Sequence, residues 1–497
     1  MANMERIEVD ALICGGGMSG MSCASFAAES GAKVLVVEKQ PHLGGSSKYS
    51  AGMMWAPKSI EALREWVPDG DAKLQQAWLE DYFGAIQFMR DNEVPTAEQY
   101  KPIMTIGIGY PIKIPDLYQL HLRRIKESKT GSQIMTNTRV VKLLHENANL
   151  PGSRIIGAII QRTTNDGSTN GKYIEVRAKV VVLATGGFQG SNELRSRFIG
   201  PGAEDMFVRS NVGSVGDGLR VATEAGATTS TGLSTYYGHL LASPVKREDV
   251  TPSDFLLLAQ YQSRQCLLIN QAGRRFADET TGDEVVNQYL AKQEGRKGFI
   301  IFNNAVRQKY TLSSPFPNAG NLDRLAKAKE HGCRVVEAPT LAGIIEALRP
   351  WGVDVAQTKR TVHDYHKHVA LGDESVALDF PTGRGGTPAP PLVEGDGPFF
   401  AMEVQPSITF TYGGILIDSK GQALNADRQP IPGLLVAGVD AGGFSNLGYA
   451  GGLALAFVTG YWAAKQISWE LNLATPSLPL PNVKDLESVG RHTTARI

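Results

Sequence analysis

Residues 8 to 39, EVDALICGGGMSGMSCASFAAESGAKVLVVEK, constrain the fold more than any other stretch of this chain. An apolar run, Ala11 to Cys14, leads into Gly15-Gly16-Gly17-Met18-Ser19-Gly20. A helix of small residues follows, and a second strand, Lys33 to Val37, ends at Glu38, with Lys39 next to it. Each part has a physical role. Gly15 permits a tight turn, Gly17 lets backbone N–H groups approach a pyrophosphate, and Gly20 lets helix and strand pack closely. The helix start presents unpaired N–H groups and a positive dipole end to the phosphates. Glu38 closes the second strand, where a carboxylate can accept ribose hydroxyls. The spacing predicts a Rossmann-like unit in an α/β domain that holds a dinucleotide.

The residues after Glu38 indicate which dinucleotide. Gln40 to Gly52 form a second Gly/Ser loop, with Gly45, Ser46, Ser47, Ala51 and Gly52 followed by Met53. NAD enzymes have no need of such a loop, whereas a resident FAD must also be held at its flavin and ribityl chain. The run EKQPHLGGSSKYSAGMMWAP resembles the flavoprotein family of succinate dehydrogenase, fumarate reductase and 3-ketosteroid dehydrogenases. Other segments are similar to the same family. Val140 lies where the backbone meets adenine, Ala184-Thr185-Gly186 form the return toward the flavin, and Asp217 opens a helix. The segment Ile431 to Gly443 includes Asp440, beside Val439 where the family commonly carries a polar residue. Gly452, Ala454 and Leu455 begin the flavin-facing helix. No histidine stands in Gly45-Ser46-Ser47-Lys48, so the FAD is expected to be non-covalent.

The resemblance implies a discontinuous FAD-binding domain over 1–245 and 400–497, with an inserted α+β cap and catalytic domain over 246–399. Amphipathic helices are expected to dominate the insert to about residue 370. A Pro/Gly-rich connector, Pro381 to Pro398, closes it. The resemblance further implies hydride transfer between flavin N5 and a carbon near an activating carbonyl.

Its substrate-binding positions depart from the fumarate reductases. Those enzymes hold two carboxylates with guanidinium forks. Here Tyr449 precedes Ala450-Gly451-Gly452 where an arginine belongs, and Asp283 follows Gly273-Arg274-Arg275-Phe276-Ala277-Asp278-Glu279 where the proton-donating arginine belongs. Ala259 and Gln262 replace the upstream relay, and Thr409 and Phe410 replace paired histidines. Tyr449 instead resembles a 3-ketosteroid dehydrogenase tyrosine of the Δ4-(5α) type, with Δ1 enzymes also close. A phenol is a sound hydrogen-bond donor to an oxygen on which charge develops, and a buried carboxylate with a raised pKa can act as a base.

The candidate catalytic residues are therefore Tyr449, Asp283 and His239. Each has a structural alternative: Tyr449 as a packing aromatic, Asp283 as a solvated helix cap, and His239 as an ordinary core or surface histidine. Three functions stay open on these residues. The first is α,β-dehydrogenation of a steroid-like or other cyclic ketone, and the second is ene reduction of an enone or unsaturated acid. The third is an electron-transfer flavoprotein subunit.

Composition narrows the partners. Lysine plus arginine total 50 and aspartate plus glutamate total 50, which leaves no electrostatic footprint for nucleic acid. No run approaches the roughly 18 apolar residues of a membrane span, and no signal-peptide pattern precedes the first strand. Cys14, Cys23, Cys266 and Cys333 lack metal spacing. The expected partners are an apolar ketone or enone and an unidentified electron acceptor or donor. A cytoplasmic enzyme is expected, with a loose peroxisomal signature in Ala495-Arg496-Ile497.

Overall fold

A computed structural model describes residues 4–104, 106–147, 150–165, 168–312, 322–482 and 484–486. The C-terminal tripeptide Ala495-Arg496-Ile497 lies outside the described residues. The chain divides into two compact units. The first comprises 1–199, 211–236 and 410–497, and the second comprises 200–210 and 237–409.

The first unit is built on an eight-stranded sheet. Its centre runs through Pro430–Val436, Thr169–Leu183, Glu5–Cys14, Val34–Val37 and Gln133–Met135, and every neighbouring pair in that row is parallel. Parallel strands buried on both faces read as continuous apolar runs. Accordingly Ala11, Leu12, Ile13, Val34, Leu35, Val36, Val180, Val181, Val182 and Leu434 are all fully buried. The helix Met18–Glu29 returns from Glu5–Cys14, and the C-terminal helix Leu453–Glu470 packs beside it. That packing depends on small residues: a Cβ on Gly460 would lie 2.3 Å from the backbone oxygen of Ser19. The last strand and helix belong to the nucleotide fold although hundreds of residues separate them from its beginning.

The second unit has a core the sequence pattern did not reveal. Amphipathic helices were expected to dominate 245 to 370, but the unit centres on a six-stranded sheet. Phe399–Ile408 is its spine. Gly298–Asn303, Val335–Ala338 and Leu240–Ala242 pair with it antiparallel, and Phe207–Val208 pairs with it parallel. Leu267–Asn270 adds to Gly298–Asn303. Most of these strands are buried along their length, so no polar/apolar alternation betrays them. The same pairings place the boundaries at 237 and 409 rather than 246 and 399, and recruit 200–210 through its strand. Among the described residues, no helix is long and apolar enough to cross a membrane. All four cysteines are buried and free.

The glycine turn allows a direct test of the packing. A Cβ on Gly20 would lie 1.9 Å from the carbonyl oxygen of Gly15, which is backbone and has no flexible end to yield. Gly20→Val is expected to lower the melting temperature of the chain by more than about 5 °C or to abolish soluble expression, the scale of a clash in a well-packed core. A variant that melts within a degree of the parent would contradict this close approach.

Candidate functional site

The first unit contains the dinucleotide cradle. Gly15 adopts φ +115°, and a Cβ there would lie 2.1 Å from the Ala184 carbonyl oxygen. Gly17, in contrast, has no atom within 4 Å of where its Cβ would be. The turn is therefore packed tightly at Gly15 and Gly20 and open at Gly17, at the start of the helix. Met18 and Ser19 form the first turn of that helix and are buried. Glu38 receives the Gly16 N–H on Oε2 and the Gln40 N–H on Oε1, each at 2.8 Å, and this holds the acid at the end of Val34–Val37.

The second loop folds back onto the first. Gly44 donates its N–H to Gly16, and Gly45, at φ +48°, lies against Gly17. Ser47 is buried and donates to the Gly44 carbonyl at 2.5 Å while meeting the Tyr118 hydroxyl at 2.9 Å, so its hydroxyl shapes the loop. Ser46 receives a hydrogen bond from Gln189 Nε2 at 3.4 Å. Gly52 at φ +77° faces the Ile112 carbonyl, where a side chain would clash; Ala51 is exposed beside it, and Met53 opens the strand Met53–Pro57. Val140 is buried in the strand Thr138–His145.

Behind the glycine turn, Asp440 is almost fully buried and receives the Thr185 N–H at 2.5 Å and the Thr185 hydroxyl at 2.9 Å. Burial pushes its carboxyl up to about 7, against the opposing pull of those hydrogen bonds. Thr185 Oγ1 in turn accepts the Gly218 N–H, and Asp217 pairs with Lys39 at 2.8 Å and with Arg139 at 3.5 Å. Gly186, at φ +86°, continues the turn. Asp440 and Asp217 therefore tie together the segments that were expected to meet the cofactor.

Gln189 Oε1 and Thr411 Oγ1 are among the buried polar atoms of this unit that have no hydrogen-bond partner. Both border Gly187, where a Cβ would lie 2.2 Å from Thr411 Oγ1 and 2.9 Å from Gln189 Oε1. Orphaned acceptors are costly in a dry interior. Together with the open face of Gly17, they fit a bound polar group that the sequence motifs alone did not locate.

Tyr449 is also buried in the first unit. Its ring lies 4.5 Å from that of Trp55 and 6.2 Å from that of Phe410, measured between centroids. Gly452 is the residue that admits the phenol: a Cβ there would lie 2.7 Å from the Tyr449 hydroxyl. The hydroxyl thus lies over the start of Leu453–Glu470, whose first turn includes Ala454 and Leu455 and whose dipole has its positive end there.

In the second unit, Asp283 and His239 form a pair. His239 Nδ1 and Asp283 Oδ2 are 2.5 Å apart, a separation that places one proton between them, and both side chains are buried. The motif upstream positions the acid. Arg275 and Glu279 form a bidentate buried ion pair at 2.9 and 2.6 Å, and Glu279 also receives the Leu268 N–H. This fixes the turn before Asp283, the first residue of the helix Asp283–Leu290. The solvated-cap alternative for Asp283 is overturned, because its carboxylate is buried and bonded to imidazole. Tyr261 and Tyr237 pack edge-on against His239 at 4.9 and 5.0 Å. Burial pushes the carboxyls of both Asp283 and its neighbour Glu284 well above the ordinary carboxylate range, and the Asp283 charge raises Glu284 further. The guanidinium groups of Arg209, Arg264 and Arg324 pull Asp283 the other way. None of these three arginines, nor Glu284, belongs to a motif recognisable in the sequence.

A parallel sheet with a pyrophosphate turn, a second Gly/Ser loop and a returning C-terminal segment defines an FAD-binding flavoprotein. The chain belongs to the FAD binding domain family, whose pattern matches residues 10–97 and 111–455. It is 26% identical over 472 residues to a fumarate reductase (cytochrome) of Shewanella frigidimarina, covering 92% of this chain and 76% of that protein. It is 25% identical over 470 residues to a urocanate reductase of Eggerthella lenta, covering 88% and 70%. Among solved structures, a 3-ketosteroid Δ1-dehydrogenase from Sterolibacterium denitrificans in complex with 1,4-androstadiene-3,17-dione matches with a TM-score of 0.68 at 19% identity, covering 93% of this chain and 99% of that one. The cofactor is FAD, and the chain is an oxidoreductase acting on carbon–carbon bonds.

The buried carboxyls carry a pH signature. Asp283, Glu284 and Asp440 each bind a proton more tightly in the folded chain than in the unfolded one. Their contribution to stability is full at acid pH and is lost as pH rises from the ordinary carboxylate range through the raised folded values. Above about pH 5, where paired surface carboxylates are already ionised, the melting temperature should fall steadily toward about pH 8. Glu284→Gln should flatten that fall. Identical pH profiles for parent and variant would show that Glu284 is not held protonated.

Proposed function

We propose that this enzyme interconverts a CH–CH bond and a C=C bond next to an activating carbonyl, with α,β-dehydrogenation of a cyclic ketone as the leading reading. The observation that carries it is the buried Asp283–His239 pair, which can hold or release one proton without solvent. FAD, when bound non-covalently, would supply the hydride acceptor or donor. Gly17, Glu38, Gly45, Ser46 and Thr185 would hold it, and the unpartnered polar atoms of Gln189 and Thr411 would be available to it. The Tyr449 hydroxyl donates a hydrogen bond to the substrate carbonyl oxygen as negative charge develops there. The matching proton enters or leaves the pair at His239 Nε2 or Asp283 Oδ1, the atoms outside the Nδ1–Oδ2 bond. A side chain raised toward neutrality is suited to this exchange, because it can both accept and return a proton near pH 7.

A second reading is reduction of an enone or unsaturated acid. The reductase names of two relatives favour it, and the same residues would serve with the proton moving in the opposite sense.

Tyr449→Phe should retain FAD and lower turnover by about 10²-fold or more, the scale of one lost oxyanion donor. A packing role alone would instead lower the melting temperature and spare the turnover of folded enzyme. Asp283→Asn and His239→Gln should each slow flavin reduction by about 10²- to 10⁴-fold, and the double variant should be little worse than either, because the two act as one unit. Additive losses, or normal rates in both single variants, would remove the pair from the proton chemistry. Acid precipitation should release all flavin into the supernatant, whereas flavin retained in the pellet would refute non-covalent binding.

A further inference from the structure

Past the helix Leu453–Glu470 the chain continues across the first unit through Pro476, Pro479 and Pro481. Proline fixes φ and withholds an N–H, so this stretch is stiff and forms no ladder of its own. It is fitted to the helix Ala72–Asp91: a Cβ on Gly84 would lie 3.1 Å from Leu478 Cβ and 3.2 Å from the Pro479 carbonyl oxygen. Leu478 donates its N–H to the Tyr461 hydroxyl at 3.3 Å. Among the described residues from 472 to 486, only Asp485 is buried. It accepts from Arg90 Nη1 at 2.6 Å and from the Tyr110 hydroxyl at 2.7 Å. The end of the segment is therefore held by a charged anchor and not by an apolar plug. Such an anchor is releasable, because both ions regain hydration when they part, which offsets much of their attraction.

Both partners of Asp485 lead to the loop that ends at Gly52. Tyr110 lies in the strand Gly107–Pro111, which pairs antiparallel with Met53–Pro57, directly after that loop. Arg90 Nη2 holds the carbonyls of Ala97 and Glu98, and the Ala97 N–H bonds to the Pro111 carbonyl. The two routes meet at Pro111, next to Ile112, whose N–H bonds to the Gly52 carbonyl at 2.8 Å. There is no slack at that point, since a Cβ on Gly52 would lie 2.4 Å from the Ile112 carbonyl oxygen. We propose that the proline-rich segment ending at Asp485 is a cofactor latch. Asp485, seated between Arg90 and Tyr110, holds the loop Gln40 to Gly52 in the form that retains FAD, and loss of FAD unseats the segment. The latch depends on the FAD loop and not on the reaction proposed above.

The first test measures FAD release from the full-length holoenzyme, as flavin passing a size-exclusion filter over time. Asp485→Asn should speed release by about tenfold or more, the scale of one charge-assisted hydrogen bond. Tyr110→Phe should act in the same direction. Arg154→Met breaks a different ion pair of the same unit, with Glu470 at 3.1 Å, and should leave release within about twofold of the parent. Release at the parent rate in Asp485→Asn, or an equal acceleration in Arg154→Met, would overturn the latch. The second test uses the unsubstituted protein. Coupling between two sites is reciprocal, so removing FAD must loosen the segment. The Asp485 and Leu486 N–H groups bond to the Asn482 carbonyl, and with Leu478 they report its seating. Their hydrogen exchange should speed by about tenfold in the apoprotein relative to that of Val180 to Val182 in the core. Equal protection of the segment with and without FAD would refute the proposal, and this comparison decides the matter even if Asp485→Asn does not fold.

Discussion

The close approach of backbone to backbone at the glycine turn is the constraint on which the first unit depends. The carbonyl of Gly15 occupies the space a side chain on Gly20 would need, and the carbonyl of Ala184 occupies that of Gly15. Those two contacts fix how far the helix Met18–Glu29 lies from the strand before it, and how the return strand Thr169–Leu183 meets both. The open face at Gly17 follows from the same geometry. A helix start kept clear of side chains while its flanks are packed is what an anion with a polar tail requires. Asp440, Thr185 and Gly218 then link the last segment of the nucleotide fold to the turn by hydrogen bonds rather than apolar contact. This explains a carboxyl buried in a place otherwise lined by small residues.

How much of this was legible in the sequence differs between the two units, for physical reasons. The βαβ unit announces itself because pyrophosphate binding restricts residue type at fixed spacing, and the FAD loop after Glu38 does the same. The strands of the second unit leave no such trace. Phe399–Ile408 is buried on both faces and pairs with several neighbours at once, so its residues show neither a helical nor an alternating period. Asp283 and His239 could be named individually from the sequence, but their pairing could not, since it depends on how the helix Asp283–Leu290 packs beside Leu240–Ala242. Arg209, Gln189 and Thr411 carried no signal because what distinguishes them is a buried polar atom without a hydrogen-bond partner, which only a folded environment creates.

The second unit concentrates charge where a small apolar ligand alone would not demand it. Replacing a buried ion pair by packed hydrocarbon is often neutral or stabilising, so an interior that keeps several guanidinium and carboxyl groups gives up stability for something else. The Arg275–Glu279 pair accounts for part of that, since it orders the turn that delivers Asp283. The remainder surrounds the Asp283–His239 bond and sets the protonation of its members.

The interleaving of the units has a consequence for how the chain is made. Four chain crossings, after residues 199, 210, 236 and 409, separate segments that must find one another. During synthesis the glycine turn emerges well before the strand Pro430–Val436 and the helix Leu453–Glu470 that complete its unit. Until then one edge of Thr169–Leu183 and one flank of Met18–Glu29 stay exposed on the nascent chain. The second unit, whose spine ends at Ile408, is complete before the first can close. Closure of the flavin-binding half therefore waits on segments made long after its glycine turn. Chaperone protection of those apolar edges matters most in that interval.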